Sequence, residues 1–265
     1  MIDSPPKRLR GRMTPCVSII TVTHNAETHI AKSIESVLRQ SYRSIEYIIV
    51  DGCSTDQTIS IIESYGSKVT HFISEPDRGL YDAMNKGIRL SSGDWLYFLG
   101  ADDLLASDDV IESIFQDDLT GYSLIGGSVI NLGRGRHFVS SYSYRLLFRN
   151  TLSHQGTFYR RFLFENFSYD ASTRVSGDYE LNLKAYLERH KLKQSGHVIA
   201  RCGDGGVSSQ VLYRGYLEEI RIRNRYLTWP VASLLNLQTL VRFACKRFWF
   251  SRFWAARVPA LGSAG

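Results

Sequence analysis

Two adjacent carboxylates, Asp102-Asp103, stand directly after the apolar run WLYFLG at residues 95–100. Such a pair at a strand end can hold Mg2+ or Mn2+, which take few protein oxygens and leave positions for substrate phosphates. The plain alternative is a turn with helix-capping acids, since Ser107-Asp108-Asp109 just beyond reads as a helix start. A second cluster, Asp51-Gly52-Cys53-Ser54-Thr55-Asp56, follows the run IEYIIV at 45–50. An Asp there can accept from a base N–H or a ribose hydroxyl, and the glycine lets a ligand approach the backbone. Turn chemistry with an N-cap at Ser54 or Thr55 is its ordinary counterpart. His24-Asn25 and Ser74-Glu75-Pro76-Asp77 close two further apolar runs. No GxGxxG and no GxxxxGK[ST] occurs, which speaks against a dinucleotide fingerprint or a P-loop.

These clusters depend on the elements that precede them. Residues 16–23, 45–50, 69–73 and 95–100 are apolar or β-branched runs that predict buried strands. Between them, 28–39, 56–65 and 80–90 predict helices, with Ile30, Ile34, Val37 and Leu38 at helical spacing in the first. Such alternation predicts a parallel sheet covered on both faces. Ligands then bind outside the carboxyl ends of the strands, so all four polar clusters gather along one edge. Further on, 107–116 reads as a helix, 122–130 and 136–143 as strands of a smaller mixed sheet, and 178–190 as a strong helix. Residues 211–257 read as helical, with Pro230 as a kink or break. The expected organisation is a basic arm at 1–15, an α/β domain at 16–210 with halves meeting near 105, and a helical tail at 211–265.

The composition excludes several classes. Of 265 residues, 43% are hydrophobic and 22% charged, ordinary globular usage rather than that of a disordered, collagen-like or coiled-coil chain. Cys16, Cys53, Cys202 and Cys245 are scattered without CxxC, which argues against a disulfide scaffold or a common zinc site and fits a reducing compartment. The N-terminal segment MIDSPPKRLRGRM is basic with no apolar signal core. The longest uncharged run, 16 residues between Arg225 and Arg242, is shorter than a membrane span, which needs roughly 20. The chain is expected to be neither secreted nor membrane-crossing.

Residues 17–105 resemble the family 2 glycosyltransferases. The matching segments are VSIITVTHNAE, SIESVLRQSYRSIEYIIVDGCSTDQT, SEPDRGLYDAMNKGI and GDWLYFLGADD, several independent motifs in family order. The third is most similar to the colanic-acid and exopolysaccharide-type branch. The resemblance implies a GT-A fold, an α/β architecture with a Rossmann-like, mostly parallel sheet flanked by helices, a small mixed second sheet and a helical tail. It also implies transfer of a sugar from a UDP-, GDP- or dTDP-sugar to a hydroxyl of a glycan or lipid-linked acceptor. The implied reaction is inverting, uses Mg2+ or Mn2+, and serves cell-surface polysaccharide synthesis.

Residue roles follow from the same resemblance. Thr23 and Asp51 match positions lining the nucleoside pocket, with Asp51 facing the base. Asp77, Arg78 and Asp82, with Asn85 and Lys86, match the loop and helix bordering nucleotide and donor sugar. Asp102 and Asp103 look like the DXD-type pair, with Asp103 the better match for the metal-binding member. Many members read D-x-D-D where this chain has Gly100-Ala101-Asp102-Asp103, so the first acid is missing. Which carboxylate binds metal directly therefore stays open. Asp178, in Ser176-Gly177-Asp178-Tyr179-Glu180-Leu181, resembles the general base that takes the acceptor proton, with Glu180 in reserve. Either also reads as an ordinary acid at a helix N-terminus. His154, in HQGTFYR, resembles a segment common in this branch and would touch diphosphate, metal or acceptor; a structural histidine is the alternative.

The net charge of +6 is unevenly placed: from Gly205 onward nine Lys/Arg face two acids, and the rest of the chain is nearly neutral. Residues 221–257 interleave Arg221, Arg223, Arg225, Arg242, Lys246, Arg247, Arg252 and Arg257 with Trp229, Phe243, Phe248, Trp249, Phe250, Phe253 and Trp254. That pattern suits a bilayer interface; a helix packed on the domain with a solvated basic face is the alternative. No recognition motif supports nucleic-acid binding. The expected location is cytoplasmic, peripheral on the inner face of the plasma membrane. Two rival readings are a non-catalytic GT-A-like protein and a sugar nucleotidyltransferase, and the latter lacks its Gly- and Lys-rich phosphate loop.

Overall fold

The computed structural model describes residues 14–133, 135–203 and 212–255, with only the backbone described at 212 and 247–255. Residues 1–13 of the basic arm, Arg257, and the side chains of Arg247, Phe248, Trp249, Phe250, Arg252, Phe253 and Trp254 thus lie outside the described residues.

Strands β1 (Val17–Thr23), β2 (Ile45–Asp51), β3 (His71–Ser74) and β4 (Trp95–Gly100) alternate with helices α1 (Ile30–Leu38), α2 (Thr58–Ser64) and α3 (Leu80–Leu90). The four strands pair in parallel in the order β3-β2-β1-β4. Successive side chains of a strand point to opposite faces, and the core divides accordingly. Ile19, Tyr47, Ile49, Tyr97 and Leu99 pack with α1 residues Ile30, Ile34 and Val37. Ile20, Ile48, Val50, Leu96 and Phe98 pack with Tyr81 and Met84 of α3. A sheet apolar on both faces cannot be solvated on either, which is why these strands read as continuous apolar runs.

The second half adds β5 (Leu104–Leu105), α4 (Val110–Phe115), β6 (Leu124–Asn131), β7 (Arg136–Val139), β8 (Thr157–Arg160), α5 (Gly177–Leu187) and β9 (Leu192–Cys202). The expected mixed strands do not close a separate sheet. They extend the first one, because β8 pairs antiparallel with β4 and the order continues β8-β6-β9-β5, with β7 on β6. The result is one curled nine-stranded mixed sheet flanked by helices. Strands β8 and β9 are absent from the sequence reading.

The tail is two helices, α6 (Leu212–Tyr226) and α7 (Trp229–Ala255). The chain breaks at Leu227-Thr228, and Pro230 falls in the first turn of α7, where its missing N–H costs nothing. Helix α6 is bonded into the domain. The Glu218 carboxylate accepts the backbone N–H of Arg174, Val175 and Ser176 at 2.8, 2.9 and 2.9 Å, directly ahead of α5. The buried Arg223 guanidinium donates to Phe148 O, Asn236 Oδ1 and Thr239 Oγ1.

Candidate active site

The parallel register sets Thr23 beside Asp51, and Asp51 beside Ser74, at the carboxyl ends of β1, β2 and β3. Asp51 is fully buried. Its carboxylate accepts from Ser54 N at 2.8 Å, from Ser74 Oγ at 2.7 Å, and from Ser54 Oγ. Thr23 Oγ1 is buried with no hydrogen-bond partner among the described residues. Buried hydroxyls are ordinarily satisfied, so this one marks a place where a ligand acceptor or donor fits. Gly52 leaves room here: a Cβ would stand 2.5 Å from Asp77 Oδ2 and displace that carboxylate. The missing Cβ lets the loop after β3 close over the loop after β2.

That loop and α3 hold five of the expected donor-site residues. Asp77 accepts from Gly79 N at 2.8 Å. Arg78 pairs with Asp82 at 3.3 Å and is otherwise exposed, and these bonds hold the Asp82 carboxyl below its ordinary range. Asn85 and Lys86 are turned inward instead. The Asn85 amide donates to Tyr169 O at 2.8 Å and accepts from Tyr169 N at 2.9 Å. Lys86 Nζ donates to Pro76 O at 2.6 Å and pairs with Glu75 at 2.9 Å. Both build the loop from behind.

Asp102 and Asp103 differ sharply. Asp103 is 2% exposed. Its oxygens accept Gly100 N and Gly203 N, each at 3.1 Å, tying the β4 turn to the end of β9. Burial first, and the neighbouring Asp102 charge second, push its carboxyl up from the ordinary range, against His154, Gly203 and Gln155, which act to lower it. Burial pushes the adjacent Cys202 thiol up as well, with the Asp103 charge adding to it. Asp102 is partly exposed, and its carboxylate accepts no hydrogen bond among the described residues.

Among the described residues no cluster of three His, Cys, Asp or Glu forms a ready cation cage. The carboxylate pair still fits Mg2+ or Mn2+, since such ions are commonly held by one or two carboxylates completed by phosphate oxygens and water. Asp102 is the more exposed of the two, and Asp103 is bonded into the turn.

Asp178 opens α5. A Cβ on Gly177 would lie 2.7 Å from the Tyr81 ring, so only glycine lets this helix start lie against α3. Asp178 Oδ2 accepts from Asn150 Nδ2 at 2.8 Å and lies 3.6 Å from His154 Nδ1; Oδ1 accepts from Tyr179 N at 2.9 Å. Behind Asn150, its Oδ1 accepts from Asn182 Nδ2 at 3.1 Å, and Asn182 Oδ1 accepts from Tyr159 Oη at 3.0 Å. The donors therefore run in one direction and end on the carboxylate.

Glu180 is removed from the site. It is buried and bonded to Arg225 at 2.5 Å and Tyr226 at 3.0 Å, facing α6. A helix turns about 100° per residue, so two positions on from Asp178 the side chain faces the other way.

His154 and Gln155 share one tight turn that bridges the two halves. His154 stands by Asp178, while the Gln155 side chain acts to lower the Asp103 carboxyl and its carbonyl accepts from Tyr97 Oη at 2.7 Å. Asn150 and Glu218 are missing from the sequence reading and lie outside the recognised motifs. Gln155 falls within the HQGTFYR segment, which gave it no role.

The glycosyl transferase family 2 profile matches residues 18–179. A PGL/p-HBAD biosynthesis glycosyltransferase of Mycobacterium tuberculosis (strain ATCC 25177 / H37Ra) is 30% identical over 220 residues, covering 80% of this chain and 86% of the relative. Among solved structures, Staphylococcus aureus TarS 1-349 in complex with UDP-GlcNAc superposes with a TM-score of 0.66 at 19% identity, over 85% of this chain and 71% of that one. The mannosyltransferase PcManGT from Pyrobaculum calidifontis, in complex with GDP-Man and Mn2+, gives 0.59 at 15% identity, over 90% and 84%. Both share the GT-A fold with this chain.

Proposed function

The chain belongs to glycosyl transferase family 2 and is a glycosyltransferase, and from that premise we propose an inverting, metal-assisted transfer from a nucleotide-diphosphate sugar to a hydroxyl of a glycan or lipid-linked acceptor. The observation that carries this reading is the His154-Gln155 turn, which brings the acid pair after β4 and the acid at the start of α5 to one place.

The nucleoside lies over the ends of β1 and β2, where Thr23 Oγ1 is unpartnered and Asp51 is held rigid by two serines. Asp77 and the exposed Arg78 border the diphosphate and sugar. Asp102 presents its carboxylate to Mg2+ or Mn2+, and Asp103 fixes the turn that aims it. When bound, the ion neutralises charge on the leaving diphosphate. The acceptor oxygen attacks the anomeric carbon as the bond to the diphosphate oxygen breaks with its electron pair. Asp178 accepts the hydroxyl proton. Asn150 holds the receiving carboxylate in place, so no reorientation is needed as the proton arrives.

The similarity of SEPDRGLYDAMNKG to the exopolysaccharide-type branch supports a role in cell-surface polysaccharide synthesis, and the basic tail supports a place on the cytoplasmic face of the plasma membrane. Thermal shifts with UDP, GDP, dTDP and CDP, each with Mn2+ and with EDTA, test the donor class, because a ligand bound only to the native state raises the midpoint. One diphosphate that stabilises only with metal supports the reading. No shift with any of them at millimolar concentration overturns it.

A further inference from the structure

We propose that the outward face of α7, centred on Leu234, Leu237 and Val241, seats on an anionic phospholipid surface. This deepens the membrane location proposed above and changes the residues that make the contact.

Three of the arginines expected at the lipid are engaged by the protein itself. Arg223 is fully buried on Phe148 O, Asn236 and Thr239. Arg225 pairs with Glu180 and Asp170, and Arg242 with Glu219 and Phe148 O. Each is thus held by partners within the fold, with Glu219 shared between Arg223 and Arg242.

The face of α7 turned away from the domain carries a different signal. Ala232, Leu235 and Thr239, at spacings of three and four, are buried against the protein. Leu234, Leu237 and Val241 repeat that spacing on the other side and are 70%, 59% and 54% exposed, and Trp229 at the helix start is 80% exposed. No charged residue lies between Arg225 and Arg242. A surface helix is polar on its outer side, and one that is apolar all round has a second partner. An exposed patch of this kind marks an interaction site.

Charge selects the partner. The apolar stretch is uncharged up to Arg242 and is followed by exposed Lys246 and, in the sequence, by Arg247, Arg252 and Arg257. Cations next to an apolar helical face match an anionic bilayer, where the face enters the acyl boundary and the cations meet headgroups. No helix among the described residues is long and apolar enough to cross a membrane, so α7 lies along the surface. The inner side of the same helix, through Arg242, holds Phe148 two residues before Asn150.

The test is co-sedimentation of the full chain with vesicles of equimolar phosphatidylglycerol and phosphatidylcholine, and with phosphatidylcholine alone. The wild type pellets with the anionic vesicles and about tenfold less with the neutral ones. The double variant Leu234→Asp, Leu237→Asp loses anionic binding by at least about tenfold, with its thermal midpoint and its nucleotide-induced shift unchanged. As a check independent of that variant, brominated acyl chains quench the part of the emission that Trp229→Phe removes. Equal pelleting of the variant, no pelleting of the wild type, or a wild-type dimer that the variant dissolves would each overturn the proposal, the last by assigning the face to a second copy. Vesicle binding in a protein that turns over no sugar nucleotide would leave this face standing and remove the transfer mechanism alone.

Discussion

Asn150 Nδ2 donates to Asp178 Oδ2 across 2.8 Å, and the oxygen of the same amide is fixed by Asn182 Nδ2 at 3.1 Å and Leu152 N at 3.3 Å. With both donors on Oδ1, the amide can only present its N–H groups to the carboxylate. The acid at the start of α5 is thus mounted by a residue 28 positions earlier in the chain.

Asn150→Ala lowers kcat by about tenfold or more, the usual scale for a misplaced catalytic group, and leaves the donor KM nearly unchanged because no donor contact is lost. In the Asp178→Asn background the same change has little further effect, since residues acting as a unit are not additive. Steady-state kinetics on the four proteins checks this.

Glu180→Gln separates the two acids of α5. Transfer persists at near the wild-type rate, while stability falls by roughly 1–3 kcal/mol because the neutral amide no longer matches Arg225. Urea unfolding alongside activity reads both quantities.

Arg223→Met removes the link between α6, α7 and the Phe148 carbonyl. Thr239 Oγ1 and the half-buried Asn236 Oδ1 lose their donor, while Phe148 O keeps the one from Arg242, a loss on the order of 2 kcal/mol. The midpoint of urea unfolding falls accordingly, and Asn150 loosens with it.

Glu46 makes the fold acid-sensitive. Burial acts to raise its carboxyl, but hydrogen bonds from Ser18, Ser92 and Gly93 outweigh it and hold the group below its ordinary 4.5. A carboxyl depressed in the folded state contributes stability above its unfolded value, and that contribution is lost as pH falls through the folded one. Wild-type stability therefore declines below about pH 4.5, and the gap between wild type and Glu46→Gln narrows over the same interval. Unfolding measured across that range checks the sign.

The sequence made the first half of this site legible because its signals are local. Strands β1 to β4 are dense apolar runs, each ended by its own polar cluster, and parallel pairing aligns those ends without further information. The second half is assembled by distant partners. Strand β8 has four residues, and β9 reads LKQSGHVIARC, polar and glycine-broken through its first half, so neither shows a period. Arg223, Arg225 and Arg242 look like a solvated basic face until Glu219, Glu180 and the Phe148 carbonyl arrive from other elements. Asn85 and Lys86 lie within a recognised motif, yet their side chains are spent on Tyr169, Pro76 and Glu75, a use that no spacing reveals.

Asp178 as the acceptor-proton base is tested most directly by Asp178→Asn assayed in two ways on one preparation. Stabilisation by the nucleoside diphosphate with Mn2+ should match wild type, because Asp178 belongs to the acceptor side. Sugar transfer from the matching sugar nucleotide should fall by about 10²–10⁴-fold, the usual worth of a positioned general base. Intact nucleotide binding with transfer close to the wild-type rate would contradict the assignment and move the base elsewhere in the site.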